Sequence, residues 1–292
     1  MTLLPHLPSR LGARVRPVAL GLVTLLAAAS ALAQSPVAVA TNAPSPAYLA
    51  AHARWKASLD AFEKADKAAL PAEGGVLFVG SSTVRMWTNL AQDFRNWPVV
   101  INRGFGGSTM ADCSLFVRDL VVRYKPSHVL VYAGDNDLTE GRTPFQVLED
   151  FALFVNTVQN ELPDTRISYI SIKPSPSRAH LLPKIRETND IIAAYLRTQA
   201  KSDFIDIFNP MLGADGQPRP ELFLPDRLHM TEAGYRVWHS VIASQVQPAA
   251  GAQAATPVQP APAVGAASAA AIPSVPAMTA PTGAMATASR PH

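Results

Sequence analysis

Five short apolar runs, each followed by a polar loop and then by a helical pattern, constrain the fold of this chain more than any other feature. The runs cover residues 76–80, 99–102, 128–133, 166–172 and 203–208. A parallel strand that is buried on both faces has a continuous apolar sequence, and parallel neighbours are joined by a crossover, usually a helix. The alternation therefore predicts an α/β fold, a three-layer α/β/α sandwich around a five-stranded, mostly parallel sheet.

The segments around these runs have apolar residues at three-to-four spacing, which is the period of an amphipathic helix. They predict helices over residues 48–70, 113–124, 144–162, 182–200 and 231–246. Cys113 lies on the apolar face of its predicted helix, where we expect a buried thiol. Because it is the only cysteine, no intramolecular disulfide can form, and the fold must depend on its apolar core.

The beginning of the chain has the three-part pattern of a secretory signal peptide. Residues 1–33 combine Arg10, Arg14 and Arg16 with an apolar run that is short for a membrane span, followed by Ala-Leu-Ala. The pattern predicts cleavage near Ala33 and export to the periplasm or the medium. The alternative is an uncleaved N-terminal anchor, and we expect contact with a membrane only in that case.

Two further segments have the composition of unfolded chain. Residues 34–47 are a linker rich in Pro, Ala and Ser, and residues 248–292 contain 17 Ala, 8 Pro and one charged residue. Such a composition cannot bury enough apolar surface to offset chain entropy, so we predict a disordered C-terminal tail. The folded domain is then expected over residues 48–247.

The net charge of the chain does not favour nucleic acid as a partner. The full chain carries 25 Lys and Arg against 22 Asp and Glu, a formal charge of +3. Three of those arginines lie in residues 1–33, so the remaining chain has 22 basic and 22 acidic residues. A net charge near zero provides no bulk attraction for a polyanion.

The loops that follow the strands carry the side chains needed for acyl transfer. In an open parallel sheet these loops gather along one edge, where ligands bind. Ser81 and Ser82 follow the first strand, Asn136 follows the third, and Asp226 and His229 lie three residues apart before the last helix. A serine becomes a nucleophile when an imidazole takes its proton, and a carboxylate orients that imidazole.

Hydrogen-bond donors for a tetrahedral oxyanion are also available at this edge. The Ser82 N–H, the Gly107 N–H in the glycine-rich second loop and the Asn136 side-chain amide are the candidates. Each residue also has a structural interpretation: the glycines as a turn, Asn136 as a cap and His229 as a residue at a helix start. Their occurrence on successive loops of one edge favours a hydrolytic site.

This ordered set of loops resembles the SGNH hydrolases, also called GDSL esterases and lipases. The four blocks of that family are matched by Gly80-Ser81-Ser82, by Asn102 with Gly107, by Gly134-Asp135-Asn136-Asp137 and by Asp226 with His229. The chain departs from the family name at Ser81, where the family has Asp, and Ser81 stays open as an alternative nucleophile.

The resemblance implies the flavodoxin-like SGNH hydrolase fold and a carboxylic ester hydrolase that needs no metal or organic cofactor. It implies Ser82 as nucleophile and first oxyanion donor, Gly107 and Asn136 as the other donors, His229 as general base and Asp226 as its orienting acid. The expected substrate is a small ester: a short-chain ester, an acylated glycan or a lysophospholipid.

Two interpretations of the same region remain open. Arg103 and Arg178 fall near the predicted edge, and either they bind an anionic substrate or they are ordinary surface charges. The alternative to an enzyme is a non-catalytic module on the same fold that binds envelope glycans.

Asp135 and Asp137 lack the further spaced carboxylates of a calcium loop, so no metal site is expected. Asp137 is interpreted as a buried hydrogen-bonding residue.

Overall fold

A computed structural model describes residues 44–246, and every structural statement below concerns that part of the chain. The predicted signal peptide, most of the predicted linker and the predicted tail lie outside the described residues. Within the described part no helix is both long enough and apolar enough to cross a bilayer.

A five-stranded, all-parallel sheet forms the centre of the fold, in the strand order β2-β1-β3-β4-β5. The strands are β1 (Val76–Gly80), β2 (Val100–Gly104), β3 (His128–Tyr132), β4 (Arg166–Ile170) and β5 (Ser202–Ile205). Gly80 at the end of β1 lies beside Gly104 of β2 and Tyr132 of β3, so these three strands end level with one another. Their following loops therefore start at the same edge.

Helices cover both faces of the sheet, which confirms the predicted α/β/α sandwich. In the described residues they are α1 (Pro46–Ala68), α2 (Ser82–Arg85), α3 (Leu90–Asp93), α4 (Met110–Leu115), α5 (Val117–Leu120), α6 (Asp135–Thr139), α7 (Pro144–Glu161), α8 (Leu182–Leu196) and α9 (Glu232–Gln245). One core lies between the sheet and α1, α4, α5, α7 and α8; the other lies between the sheet and α2, α3 and α9.

Successive side chains of β1 alternate between these two cores. Leu77 and Val79 belong to the core beneath α1 and α7, whereas Val76 and Phe78 belong to the core beneath α2 and α9. All four are fully buried, which explains why the run has no polar residue. Fully burying such a side chain contributes roughly 1.5 to 3 kcal/mol, so the strand is held firmly from both sides.

Several predicted boundaries differ from the observed ones. Strand β4 ends at Ile170 although the apolar run continues to Ile172, because the N–H and C=O of Ile172 bond to the side chain of Asn189 instead of to a strand. The predicted helix 113–124 is divided into α4, α5 and a 3-10 turn. Cys113 is fully buried as expected, and this burial raises the pKa of its thiol.

Candidate active site

The turn from β1 into α2 fixes the position of Ser82. Gly80 has φ +147°, and a Cβ on it would lie 1.9 Å from the carbonyl oxygen of Tyr132. Ser81 then donates its N–H to that same oxygen at 3.1 Å, and α2 begins at Ser82. Only glycine allows this close approach, so the strand can end and the helix can start within two residues.

The structure brings the imidazole of His229 to Ser82 and not to Ser81. His229 Nε2 lies 3.0 Å from Ser82 Oγ, and His229 Nδ1 lies 2.6 Å from Asp226 Oδ2. Since a carboxylate only accepts, Nδ1 carries the proton and Nε2 is the acceptor for the serine hydroxyl. Ser81 is 4% exposed and occupies the cap position of α2. The arrangement can therefore move a proton from the Ser82 hydroxyl to the ring.

Asp226 is held as a carboxylate by three hydrogen bonds. Its Oδ1 accepts from the N–H groups of Leu228 and His229, both at 2.9 Å, while Oδ2 faces the imidazole. Partial burial acts to raise the pKa of Asp226, but the bonds from the His229 side chain and from the two N–H groups lower it to about 2. The carboxylate therefore stays charged at neutral pH, as an imidazole-orienting group must.

The turn that carries Asp226 and His229 is anchored at both ends. The N–H of Leu224 donates to the C=O of His229 at 2.7 Å, and Thr231 caps α9 immediately after the turn. Arg227, at the centre of the turn, has φ +58°, and its C=O accepts the Ser177 N–H at 3.0 Å. This last bond ties the turn to the loop after β4.

The three predicted oxyanion donors start from neighbouring strands at this edge. Phe105 donates its N–H to the C=O of Gly80 at 2.8 Å, which places the glycine-rich loop beside the β1–α2 turn. Gly107 in that loop has φ +86°, in the left-handed region that favours glycine. In residues 44–246 neither the Ser82 N–H nor the Gly107 N–H has a hydrogen-bond acceptor, so both are free to bind an anion.

Asn136 lies near the start of α6, directly after β3. Its Nδ2 donates to the C=O of Ser108 at 2.9 Å, and its Oδ1 accepts from Arg178 Nη2 at 3.0 Å. One N–H of the amide nitrogen is used by Ser108, and the second is left for another acceptor.

Comparison with known proteins identifies the family. A model of the GDSL-like lipase/acylhydrolase family matches residues 72–237, more than half of the 292-residue chain. The chain belongs to this family. It is therefore an ester hydrolase with the SGNH fold, as the four sequence blocks predicted. No curated protein is significantly similar to it in sequence.

Solved structures share the same fold. A GDSL-like lipase from Bacteroides thetaiotaomicron is 23% identical with a TM-score of 0.55, and the match covers 64% of this chain and 97% of that one. A protein assigned as an acylhydrolase from Bacteroides fragilis is 25% identical with a TM-score of 0.54, covering 61% and 90%. A protein assigned as a platelet activating factor from Streptococcus pneumonia is 19% identical with a TM-score of 0.59, covering 65% and 92%.

In this GDSL-family chain a buried ionic cluster lies next to Asn136, and the sequence patterns do not predict it. Lys173 is 1% exposed, and its Nζ donates to Asp135 Oδ2 at 3.0 Å and to the hydroxyl of Tyr132 at 3.1 Å. Burial alone would raise the pKa of Asp135, but Lys173 and Arg178 hold it below its ordinary value. The signal that could have found the cluster is a lysine directly after a buried strand, where an unpaired charge is not tolerated.

Asp137, the last residue of the third block, holds the first residue of α4. Both of its oxygens accept the Met110 N–H at 3.0 Å, and its side chain is fully buried. Burial raises the pKa of Asp137 to about 6, although the bond from Met110 opposes this shift. Its interpretation as a buried hydrogen-bonding residue agrees with this position. In residues 44–246 no three His, Cys, Asp or Glu side chains cluster as metal ligands.

Arg103 requires a correction. Both interpretations of Arg103, as a residue that binds an anionic substrate and as an ordinary surface charge, are wrong: the structure places its guanidinium in the core, 6% exposed, with Nη2 2.5 Å from Asp66 Oδ1. The guanidinium also lies 4.4 Å from the ring centroid of Tyr124, whose hydroxyl donates to the same carboxylate. Arg103 therefore joins β2 to α1 and has no surface to offer a substrate.

A groove of about 460 Å³ lies beside the turn that carries the imidazole. Met86, one helical turn after Ser82, forms part of its lining, together with Leu224 and Met230, which flank the imidazole-bearing turn. The lining also includes polar residues, among them Asn89 and Glu232.

Proposed function

We propose that this GDSL-family hydrolase is an exported serine esterase that cleaves esters of short acyl groups through an acyl-enzyme on Ser82. The observation that carries the proposal is the continuous chain of contacts from Ser82 Oγ through His229 to Asp226, at 3.0 and 2.6 Å. These are the distances required for proton transfer to a general base and for orientation of that base.

The acylation step follows from these contacts. Ser82 Oγ forms a bond to the acyl carbon while its proton passes to His229 Nε2, and the carbonyl electron pair moves onto oxygen. The resulting oxyanion accepts hydrogen bonds from the N–H groups of Ser82 and Gly107 and from the second N–H of Asn136. One such donor is worth roughly 3 to 4 kcal/mol. The oxyanion then collapses, the bond to the alcohol oxygen breaks, and that oxygen takes the proton from His229.

Deacylation repeats the sequence with water. His229 Nε2 removes a proton from water as the water oxygen attacks the acyl carbon. The second oxyanion then collapses, the bond between the acyl carbon and Ser82 Oγ breaks, and Oγ takes the proton back from His229 as the free acid leaves. Through both steps Asp226 keeps the ring in one tautomer and stabilises the imidazolium. Its low pKa suits this role, because the group must stay ionised while the ring gains a proton.

The surroundings of Ser82 support short acyl groups. Its sequence neighbours Ser81, Thr83 and Val84 are at most 4% exposed and pack into the body of the protein, and we take this close packing around the nucleophile as support for a small acyl group. We propose that the acyl group stays small and that the alcohol part extends into the groove beside Met86 and Leu224. Short-chain esters and acetylated glycans fit this division better than lysophospholipids. No observation on residues 44–246 or in the comparisons favours a non-catalytic glycan-binding module.

An active-site probe tests the nucleophile and the base separately. A fluorophosphonate should label the wild-type protein and the Ser81→Ala variant, and labelling should vanish in Ser82→Ala. His229→Ala should reduce turnover of p-nitrophenyl acetate by at least a thousandfold, because the serine then lacks its base. Persistent labelling in Ser82→Ala together with loss in Ser81→Ala would move the nucleophile to Ser81.

Export and substrate size need experiments of their own. N-terminal sequencing of protein recovered from outside the cytoplasm should begin after Ala33, while an intact N-terminus in a membrane fraction would favour the anchor. Rates on p-nitrophenyl acetate, butyrate and decanoate should fall with acyl length. A rate that rises towards decanoate would refute the short-acyl assignment.

A further inference from the structure

The guanidinium of Arg178 makes two contacts with the third sequence block. Arg178 lies in the 3-10 segment Pro176–Leu181 that follows β4, and its side chain is 13% exposed. Nη2 donates to Asn136 Oδ1 at 3.0 Å, and Nη1 lies 2.6 Å from Asp135 Oδ1 as an ion pair without hydrogen-bond alignment. The guanidinium of Arg178 therefore faces Asn136 and Asp135, and little of it is accessible to a substrate carboxylate.

These contacts decide which way round the Asn136 amide lies. The two ends of an asparagine amide have nearly the same size, so their hydrogen-bond partners select the orientation. The C=O of Ser108 can only accept, and the guanidinium of Arg178 can only donate. Both therefore favour Nδ2 towards Ser108 and Oδ1 towards Arg178. If the amide were reversed, an oxygen would take the place of the proposed oxyanion donor.

The arginine is itself held by buried groups. Asp135, with a side chain 5% exposed, pairs with both Arg178 and the buried Lys173. A buried carboxylate shared by two cations restricts both of them, because moving either leaves charge unpaired in a poorly solvated region. Arg178 is thus a rigid partner for Asn136.

The same segment also contacts the turn that carries the imidazole. The N–H of Ser177 donates to the C=O of Arg227 at 3.0 Å, between Asp226 and His229 in the chain. Adjacent residues, 177 and 178, therefore contact the turn of the general base and the side chain of the oxyanion donor. This gives the segment a contact with each half of the site.

We propose that Arg178 is a positioning residue that fixes the orientation of the Asn136 amide. The inference rests on the proposed function, since it concerns how the oxyanion donor is held. It replaces the earlier interpretation of Arg178 as a binding site for an anionic substrate.

A double-mutant cycle tests whether Arg178 acts through Asn136. Removal of one oxyanion donor lowers kcat by about 10² to 10³, and Asn136→Ala should show such a loss on p-nitrophenyl acetate. Arg178→Met should lower kcat by about 10 to 100-fold with KM changed less than about twofold, because a misoriented donor is a partial loss. In the Asn136→Ala background, Arg178→Met should lower kcat by less than about threefold. The matched control is Arg166→Met, which breaks an ion pair with Asp203 at the opposite edge of the sheet.

Two results would overturn the inference. If Arg178→Met lowers kcat by the same factor in the wild-type and the Asn136→Ala backgrounds, the arginine does not act through Asn136. If it raises KM only for an anionic ester such as mono-p-nitrophenyl succinate, Arg178 is a substrate-binding residue. Arg178→Lys keeps a cation beside Asp135, so the same cycle can be measured on it if Arg178→Met does not fold.

A second readout does not depend on turnover. The side-chain NH₂ signals of Asn136, identified by their absence in Asn136→Ala, should shift or broaden in Arg178→Met and stay unchanged in Arg166→Met. Unchanged signals in Arg178→Met would refute the positioning role. If Arg178→Met shows these NMR effects and the wild-type protein turns over no ester, the esterase proposal is refuted and the positioning role remains supported.

Discussion

Replacing Gly80 by Ala should disable the site, because among the glycines of residues 44–246 it is the one whose added Cβ would lie closest to a neighbouring atom. The added Cβ would lie 1.9 Å from the Tyr132 carbonyl oxygen, whereas Cβ atoms essentially never approach a neighbour closer than 3.0 Å. The backbone at residue 80 must therefore move by about 1.1 Å or more. It cannot move freely, since Gly80 lies between Gly104 and Tyr132 in the sheet.

This displacement acts on the nucleophile two residues later. A misplacement of about 1 Å at a reacting group can lower the rate about a hundredfold, so kcat of Gly80→Ala should fall by roughly that factor or more. Strain from overpacking costs about 1 to 3 kcal/mol, and a positive φ on a non-glycine residue costs about 1 to 2 kcal/mol. We expect the free energy of unfolding to fall by roughly 2 to 5 kcal/mol.

Gly216→Ala is the matched control. Gly216 also has a positive φ, +74°, but a Cβ there would meet no atom within 4 Å. The free energy of unfolding of Gly216→Ala should fall by only about 1 kcal/mol, because the positive φ is the only unfavourable feature, and kcat should not change. Urea unfolding and p-nitrophenyl acetate kinetics on both variants separate the two terms. Equal effects of the two substitutions on stability and kcat would refute the argument from close packing at residue 80.

Three further predictions follow from the buried and paired charges. Asp226→Asn should lower kcat by at least a hundredfold, and since the pKa of Asp226 is about 2, the wild-type rate should show no titration of this group between pH 4 and 9; a loss under tenfold would contradict its role. The pKa of Asp137, raised to about 6, implies that its protonated form is favoured in the fold, so its contribution to stability is complete below about pH 4 and is lost as pH rises through 6. As the pH rises from below about 4 to above 6, the free energy of unfolding of the wild type should fall by roughly 3 kcal/mol relative to that of Asp137→Asn, measured by urea unfolding. If the difference between the two proteins does not change with pH, the raised pKa of Asp137 is refuted. Arg103→Met should lower the free energy of unfolding by about 3 to 5 kcal/mol, because Asp66 loses its buried partner, with KM unchanged for acidic and neutral esters; a KM effect on acidic esters alone would restore its substrate-binding interpretation.

The sheet could be predicted because strands buried on both faces, such as β1 and β3, have nearly continuous apolar sequences, and because helical patterns alternate with these runs along the chain. The strand ends could not be predicted, since they depend on long-range partners. Ile172 continues the apolar pattern of β4, yet its backbone bonds to Asn189, 17 residues away. Likewise, Ser171 Oγ accepts the N–H groups of Ile207 and Phe208, so these residues, expected in β5, leave the sheet.

Two short helices escaped prediction for a related reason. α3 and α6 have four and five residues, which is less than two turns, so no apolar periodicity can develop. The spacing of Val84, Met86 and Trp87 after Ser82 does indicate the start of a short helix, and the structure has α2 there, over Ser82–Arg85. Asn136 was identified by its residue type and its place after a strand, whereas α6, which holds it, was found only in the structure.

The two arginines show that the position of a charged residue after a strand does not predict its partner in the fold. Arg103 and Arg178 both fall near the predicted carboxyl edge in the sequence, and the same two interpretations, binding of an anionic substrate or an ordinary surface charge, apply to both. Arg103 lies inside β2 on the face that packs against α1, and Asp66, 37 residues earlier, takes its charge. Arg178 does reach the site, but Asp135 and Asn136, more than 40 residues earlier, engage it. A charged side chain at a sheet edge is free to bind substrate only if no buried carboxylate is within reach. In this chain Asp66 engages Arg103 and Asp135 engages Arg178, so neither guanidinium is free to bind an anionic substrate.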